Sequence, residues 1–91
     1  MPPVEWAPSA DRHNVPHADV LWAIGHAAGS EELEPRTKRP GETVRVFVGC
    51  PHAQSQRFIE VIALIRKPRM IVVFHAMELS DLYRHLAMEE Q

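Results

Sequence analysis

The sequence predicts an α+β domain: a small antiparallel sheet of three to four strands, packed by an N-terminal helix and a C-terminal helix. The stretch 57–77 holds two apolar runs rich in β-branched residues, as expected for two central strands covered on both faces. Residues 43–49 place valine at every second position, which predicts a further strand. One stretch with helical spacing precedes these strands and another follows them. With 91 residues, 45% hydrophobic and 24% charged, the chain 1–91 has the size and composition of a single globular domain.

The N-terminal elements are a short strand and a helix. Val4 and Trp6 stand between prolines, which predicts a short edge strand with the indole packed over the core. Residues 16–28 follow the helical period, with a proline in the first turn. Asp19 lies near the positive end of this helix, and Gly29 is placed to end it.

A charged connection follows over residues 30–42. Its acidic half precedes its basic half, and such charge runs are typical of exposed loops. We therefore expect residues 31–39 to be mobile and exposed, with room for a short strand around Glu32–Leu33. The dipeptide Pro40-Gly41 predicts a turn into the next strand, which runs from Thr43 to Gly49.

The register of the central hairpin decides which polar side chains meet. We expect Arg57 to begin the first strand of this hairpin, and Pro68 to preset a turn that starts at Lys67. Opposite residues in this register share one face of the sheet. The expected pairs are Glu60 with Met77, Ile62 with His75 and Leu64 with Val73, so Glu60, Ile62, Val73 and His75 share one face. A slip of one residue would separate Glu60 from His75.

The last element is predicted to be an amphipathic helix. Ser80 is a good N-cap residue, and Asp81 lies in the first turn, where a negative charge is favourable. The apolar side chains that follow the helical period are expected to pack on the sheet: Leu79, Leu82, Tyr83 and Leu86.

Composition excludes several classes of protein. The formal net charge is −2, so no whole-molecule positive field attracts nucleic acid, and any such contact must use local basic clusters. The single cysteine, Cys50, excludes an internal disulfide and fits a reducing compartment. The sequence has neither a secretory signal nor an apolar run of about 20 residues, so we expect a cytoplasmic protein without a membrane span. Cys50 and His52 supply too few ligands for zinc, and Val15-Pro16 keeps His13 and His17 off one regular helix, so we expect no metal and no cofactor.

Four residues form the candidate catalytic group: His75, Glu60, Arg57 and Tyr83. An imidazole and a carboxylate can transfer protons, Arg57 supplies positive charge and Tyr83 supplies a hydroxyl. Cleavage of RNA by its own 2′-hydroxyl needs a proton acceptor, a proton donor and a cation for the phosphorane charge. The alternative is that His75 is a core histidine satisfied by one hydrogen bond, and the residue types leave both readings open.

Several motifs together resemble a known family. The runs E-W-x-P at 5–8, R-H-x-V at 12–15 and D-V-L-W-A-I at 19–24 are similar to the start of BrnT-type toxins of bacterial toxin–antitoxin pairs. The likeness continues through V-R-V-F-V-G at 44–49 and F-I-E-V-I-A at 58–63. It ends with I-V-V-F-H-A-M and a tyrosine-bearing helix, as in a histidine-containing variant found in small actinobacterial proteins.

The resemblance implies a RelE-like fold, metal-independent endoribonuclease activity, RNA as substrate and a small DNA-binding antitoxin as partner. The expected RNA contacts are Arg12, His13, Arg45 and Arg84. Several positions depart from the family. His75-Ala76-Met77 stands where the family has S-A-R, so a methionine replaces an arginine, while Arg12 replaces a lysine and Asn14 replaces a glycine. The missing arginine and the net charge of −2 together motivate an alternative function, a non-catalytic protein-interaction module with the same fold.

Overall fold

The computed structural model describes residues 4–34, 41–66 and 70–87. The strands are β1 (Val4–Trp6), β2 (Gly29–Leu33), β3 (Glu42–Gly49), β4 (Ile59–Arg66) and β5 (Met70–Glu78). The helices are α1 (His17–Gly25) and the single-turn α2 (Arg84–Ala87), each preceded by a 3₁₀ helix, at Pro8–Asp11 and Asp81–Tyr83. The predicted α+β class is confirmed.

The sheet has five strands in the order β1-β5-β4-β3-β2. The expectation of three to four antiparallel strands is wrong in two respects. The sheet has five strands because both short strands, β1 and β2, join it, and one pairing is parallel. β1 lies at one edge and pairs with β5 in parallel, whereas all other neighbours are antiparallel. β2 forms the opposite edge and is longer than the expected strand at Glu32–Leu33, because it pairs with β3 from Gly29 onward.

Each face of the sheet carries its own core cluster. Val61, Ala63 and Val73 are buried on one face together with Val20 and Ala23 of α1. This face also receives Trp6, partly buried as predicted for packing over the core. On the other face, buried Val46 and Val48 pack with Leu86 of α2. The central strands are therefore covered on both faces, as their apolar composition predicted.

A β-bulge in β5 sets the position of His75. Near the hairpin connection the pairs are Ala63 with Val73 and Leu64 with Val72, one residue away from the predicted Leu64–Val73 pair. Beyond the bulge, Ile62 pairs with His75, so Phe74 is left without a partner on β4. The predicted pairs of Ile62 and Glu60 are confirmed. The expected face of Val73 is wrong, since the bulge places it opposite to His75.

The first helix is shorter than the sequence predicts. It ends at Gly25 rather than Ala28, and Gly29 begins β2 instead of ending the helix. Tight packing against the end of β3 explains the difference. A Cβ atom built on Gly49 would lie 2.8 Å from the carbonyl oxygen of Ala23, and the N–H of Ala28 already donates to Val48 of that strand at 2.8 Å.

The C-terminal segment also departs from the predicted helix. Leu86 is 3% exposed and packs as expected, but Leu82 is 70% exposed, so its predicted packing on the sheet is wrong. The segment starts as a 3₁₀ helix with three residues per turn, which changes the phase of the apolar face. Leu79 and Tyr83 pack beside Leu86 as predicted, and Ala87 packs there in place of Leu82.

Some sequence expectations fall outside the described residues. These are the basic half of the charged connection (35–40), the Lys67-Pro68 turn and the end of the last helix (88–91). Of the acidic half, Glu31 and Glu32 belong to β2 and are not loop residues. Gly41 has a φ of 81°, as a turn glycine there requires.

Leu86→Ala is expected to lower the free energy of unfolding by roughly 2–5 kcal/mol, because it removes a buried side chain from the cluster with Val46 and Val48. Leu82→Ala is the matched control and is expected to stay within about 0.5 kcal/mol of wild type, since the side chain is exposed. Urea unfolding measures both. Equal losses in the two variants would mean that α2 does not pack on β3 in this way.

Gly49→Ala is expected to destabilise the protein by roughly 1–3 kcal/mol, because the added methyl group would overlap backbone atoms of α1. Gly25→Ala is the control, since a Cβ atom there would meet nothing within 4 Å. Thermal unfolding of both variants provides the comparison. A Gly49→Ala protein as stable as Gly25→Ala would contradict the close approach of α1 to β3.

Candidate active site

Glu60 is a buried carboxylate at the centre of a hydrogen-bond network. It lies on β4 and is only 3% exposed. Its Oε2 lies 2.9 Å from His75 Nε2, while its Oε1 accepts hydrogen bonds from the backbone N–H of Ser80 at 2.8 Å and from Ser80 Oγ at 2.7 Å. Both carboxylate oxygens are therefore bonded, as a buried charge requires.

The network favours the ionised form of Glu60. Burial is the largest single influence and raises the pKa of this carboxyl group. The bonds from the Ser80 hydroxyl, the Ser80 N–H and His75 act in the opposite sense, and together they hold the pKa of Glu60 below its ordinary value of 4.5. We infer from this that His75 Nε2 carries the proton of the shared bond, which leaves Nδ1 as the second nitrogen for proton transfer.

Tyr83 stands on the same side of the sheet as Glu60. It packs from the 3₁₀ helix at Asp81–Tyr83 on the buried cluster of Val46, Val48 and Leu86. Burial, and then the negative charges of Glu60 and Glu31, raise the pKa of Tyr83 above its ordinary value of 10.0. The phenol therefore stays protonated at neutral pH and is available as a hydrogen-bond donor.

A second imidazole approaches His75 from the segment between the first 3₁₀ helix and α1. The ring centroids of His13 and His75 lie 6.1 Å apart, with the planes at 78°. His13 is exposed, whereas the His75 side chain retains 27% of its accessible surface. Asn14 next to His13 has a φ of 60°, an uncommon left-handed conformation for a residue with a side chain. The structure thus brings together Glu60, His75 and His13, of which only the first two were expected to be partners.

Arg57 is separated from this group. It precedes β4 rather than beginning it, and its Nη1 donates to Glu78 Oε2 at 2.8 Å in an exposed ion pair. Arg57 and His13 both line a cavity of about 470 Å³ at the end of the sheet. His13 therefore links the cavity to the Glu60–His75 pair, while Arg57 belongs to the cavity alone.

The other residues expected to contact RNA are dispersed. Arg45 lies on the sheet face opposite to Val46 and donates to Ser30 Oγ at 3.0 Å. Arg84 belongs to α2, which packs on the Val46 face, and is paired with Asp81. Arg12 is exposed beside His13. The structure therefore places His13 at the candidate site, with Arg12 next to it in the chain, and Arg45 and Arg84 on different faces.

The sequence predicted Ser80 as an N-cap residue and did not predict its contact with Glu60. Ser80 does occupy the N-cap position, but its side chain makes no cap hydrogen bond there and donates to Glu60 instead. The only sequence signal for this was the buried acid itself, because a carboxylate inside an apolar strand requires donors from elsewhere in the fold.

The described residues offer no alternative metal centre. Within 4–34, 41–66 and 70–87, no group of three or more His, Cys, Asp or Glu side chains is placed to hold a metal ion. Cys50 is a free thiol. In the same ranges, no helix has both the length and the apolar character needed to cross a bilayer.

The contribution of Glu60 to stability is expected to disappear in acid. Its folded-state pKa is depressed, so the stabilisation is complete above the ordinary pKa of 4.5 and is lost as pH falls through the folded value. We expect Glu60→Gln to be less stable than wild type at about pH 7, with a gap that narrows by about pH 3.5. Urea unfolding across this range measures the gap, with the exposed Glu5→Gln as control. A gap that widens in acid would contradict the network.

No protein-family model matches the chain. No curated protein and no solved structure matches it either. A functional assignment therefore rests on the side chains of the site and on the motifs of the sequence.

Proposed function

We propose that the protein is a metal-independent endoribonuclease, the toxin of a type II toxin–antitoxin pair, with Glu60, His75 and His13 at its active site. The observation that carries the proposal is the buried carboxylate–imidazole pair with a second imidazole 6.1 Å away. Two imidazoles at this separation can act on one phosphate group, one as proton acceptor and the other as proton donor.

The chemistry requires no further group. His75 Nδ1 accepts the proton of the ribose 2′-hydroxyl while the 2′-oxygen attacks the adjacent phosphorus. His13 donates a proton to the departing 5′-oxygen, so the products are a 2′,3′-cyclic phosphate and a free 5′-hydroxyl. The Glu60 carboxylate orients the His75 ring through its contact with Nε2. Arg57 lines the cavity that His13 also lines and supplies positive charge for the RNA there, while the Tyr83 phenol remains a hydrogen-bond donor on the Glu60 side of the sheet.

The resemblance to BrnT-type toxins supports the same assignment. Arg12-His13-Asn14 stands where the family has K-H-G, and the φ of 60° at Asn14 is a conformation that glycine adopts freely. Asparagine is among the few other residues that tolerate it, so the replacement retains the backbone that positions His13. A RelE-like fold, a DNA-binding antitoxin as partner and a cytoplasmic location are parts of this proposal.

A second candidate is a non-catalytic interaction module with the same fold. Three observations favour it. The network satisfies both oxygens of Glu60 internally, as a purely structural group would be, and Leu82 exposes an apolar side chain that a partner protein can cover. Met77 in place of the family's arginine also removes a cation from the site.

RNA cleavage by the purified protein tests the first proposal. We expect cleavage in the presence of a chelator, a cyclic phosphate product, and no reaction on a strand with 2′-deoxyribose at the cleaved position. His75→Gln, which can still donate to Glu60, and His13→Ala are each expected to lower the rate by at least about 100-fold. His26→Ala is the matched control, because this histidine lies at the end of α1, stacked on Trp22.

Stability is measured on the same variants, so that activity refers to folded protein. Normal cleavage by His75→Gln would remove His75 from the reaction. If the wild type does not cleave RNA but forms a stable complex with a neighbouring gene product, the interaction module is the correct function.

A further inference from the structure

We infer that the cavity beside His13 binds a guanine base, and so selects the nucleotide at which the RNA is cut. The inference rests on the proposed ribonuclease function, but base binding is measurable without cleavage. The cavity of about 470 Å³ lies within the size range of small-molecule pockets, roughly 300–1,000 Å³, and is large enough for one nucleotide.

The cavity walls combine apolar surface with a few polar groups. Val15, Pro16, Pro51 and Ile59 line it. Such walls accept the faces of a planar base, as aromatic and apolar side chains do when single-stranded RNA is recognised. The polar groups then decide which base fits, because an unpaired polar edge inside the cavity is unfavourable.

Asp19 is the group that favours guanine. It lines the cavity from the first turn of α1 and is partly buried. In the described part of the chain, no side-chain hydrogen bond or ion pair engages its carboxylate, whereas Glu78, which also lines the cavity, is paired with Arg57. A carboxylate accepts two parallel hydrogen bonds from N1–H and N2–H of guanine. Adenine, cytosine and uracil do not present two adjacent donors on this edge.

The remaining polar wall residues fit a nucleotide that is joined to the reacting phosphate. His13 lines the cavity and also approaches His75, so a base held in the cavity places its ribose and phosphate toward the two imidazoles. Arg57 lines the same cavity and supplies positive charge for a phosphate. Asn14, held at a positive φ, offers an amide to the base or the ribose.

Titration with the four nucleoside 5′-monophosphates, followed by NMR shifts of backbone amides, tests the inference. We expect GMP to bind most tightly, with shifts concentrated at Val15, Ile59 and Met77. Asp19→Asn is expected to weaken GMP binding about tenfold or more and to remove the preference for guanine. Glu32→Gln, which removes the same charge from exposed β2 at the far edge of the sheet, is the matched control and should bind GMP as wild type does.

Asn14→Gly keeps the backbone conformation, removes the amide, and provides a second variant if Asp19→Asn folds poorly. Equal binding of all four nucleotides, or shifts outside the cavity, would overturn the inference. GMP binding without RNA cleavage would support the cavity and remove the proposed nuclease function. RNA cleavage without base preference, together with no GMP binding, would support the proposed nuclease function and overturn the guanine site in the cavity.

Discussion

The bulge at Phe74 is the constraint on which the site depends. Side chains alternate along a strand. If β5 continued from Val73 with regular pairing and no bulge, His75 would therefore share a face with Val73, on the α1 side of the sheet. The bulge is held by the N-terminal segment: Ser9 Oγ donates to the carbonyl of Phe74 at 2.6 Å, and the N–H of Ala7 donates to that of Val73 at 2.9 Å. Through these contacts the first 3₁₀ helix helps to hold His75 on the same face as Glu60.

Once His75 is on that face, the buried charge of Glu60 organises the end of the sheet. The carboxylate joins β4 to β5 through His75 and to the C-terminal segment through Ser80. Removal of one partner would leave a charged oxygen without a donor in a buried position, which costs more than the bond contributes. The contact with Glu60 orients the His75 ring, and 27% of the His75 side chain stays accessible, as the proposed proton transfer requires.

The short β1 strand explains why a second histidine and a cavity lie next to this pair. In the described part of the chain, β1 pairs with β5 only from Ile71 to Val73. The edge of β5 around His75 is then covered by the connection to α1 rather than by a strand. This connection carries His13 and Asn14, and it forms one wall of the cavity that Arg57 also lines. The Glu60–His75 pair, His13 and the cavity of about 470 Å³ thus meet at one end of the sheet.

Local patterns in the sequence determined the α+β class, the valine face of β3 and the two central strands of the hairpin. These follow from side-chain period and composition, which act over a few residues. The pairing of Glu60 with Met77 and of Ile62 with His75 was predicted, but the bulge at Phe74 produces it. The tertiary structure alone decided the bulge at Phe74, the parallel pairing of β1, the early end of α1 at Gly25 and the bonding of Ser80 to Glu60. Each of these is fixed by contacts between residues distant in the chain, such as Ser9 with Phe74, and no local propensity records such contacts.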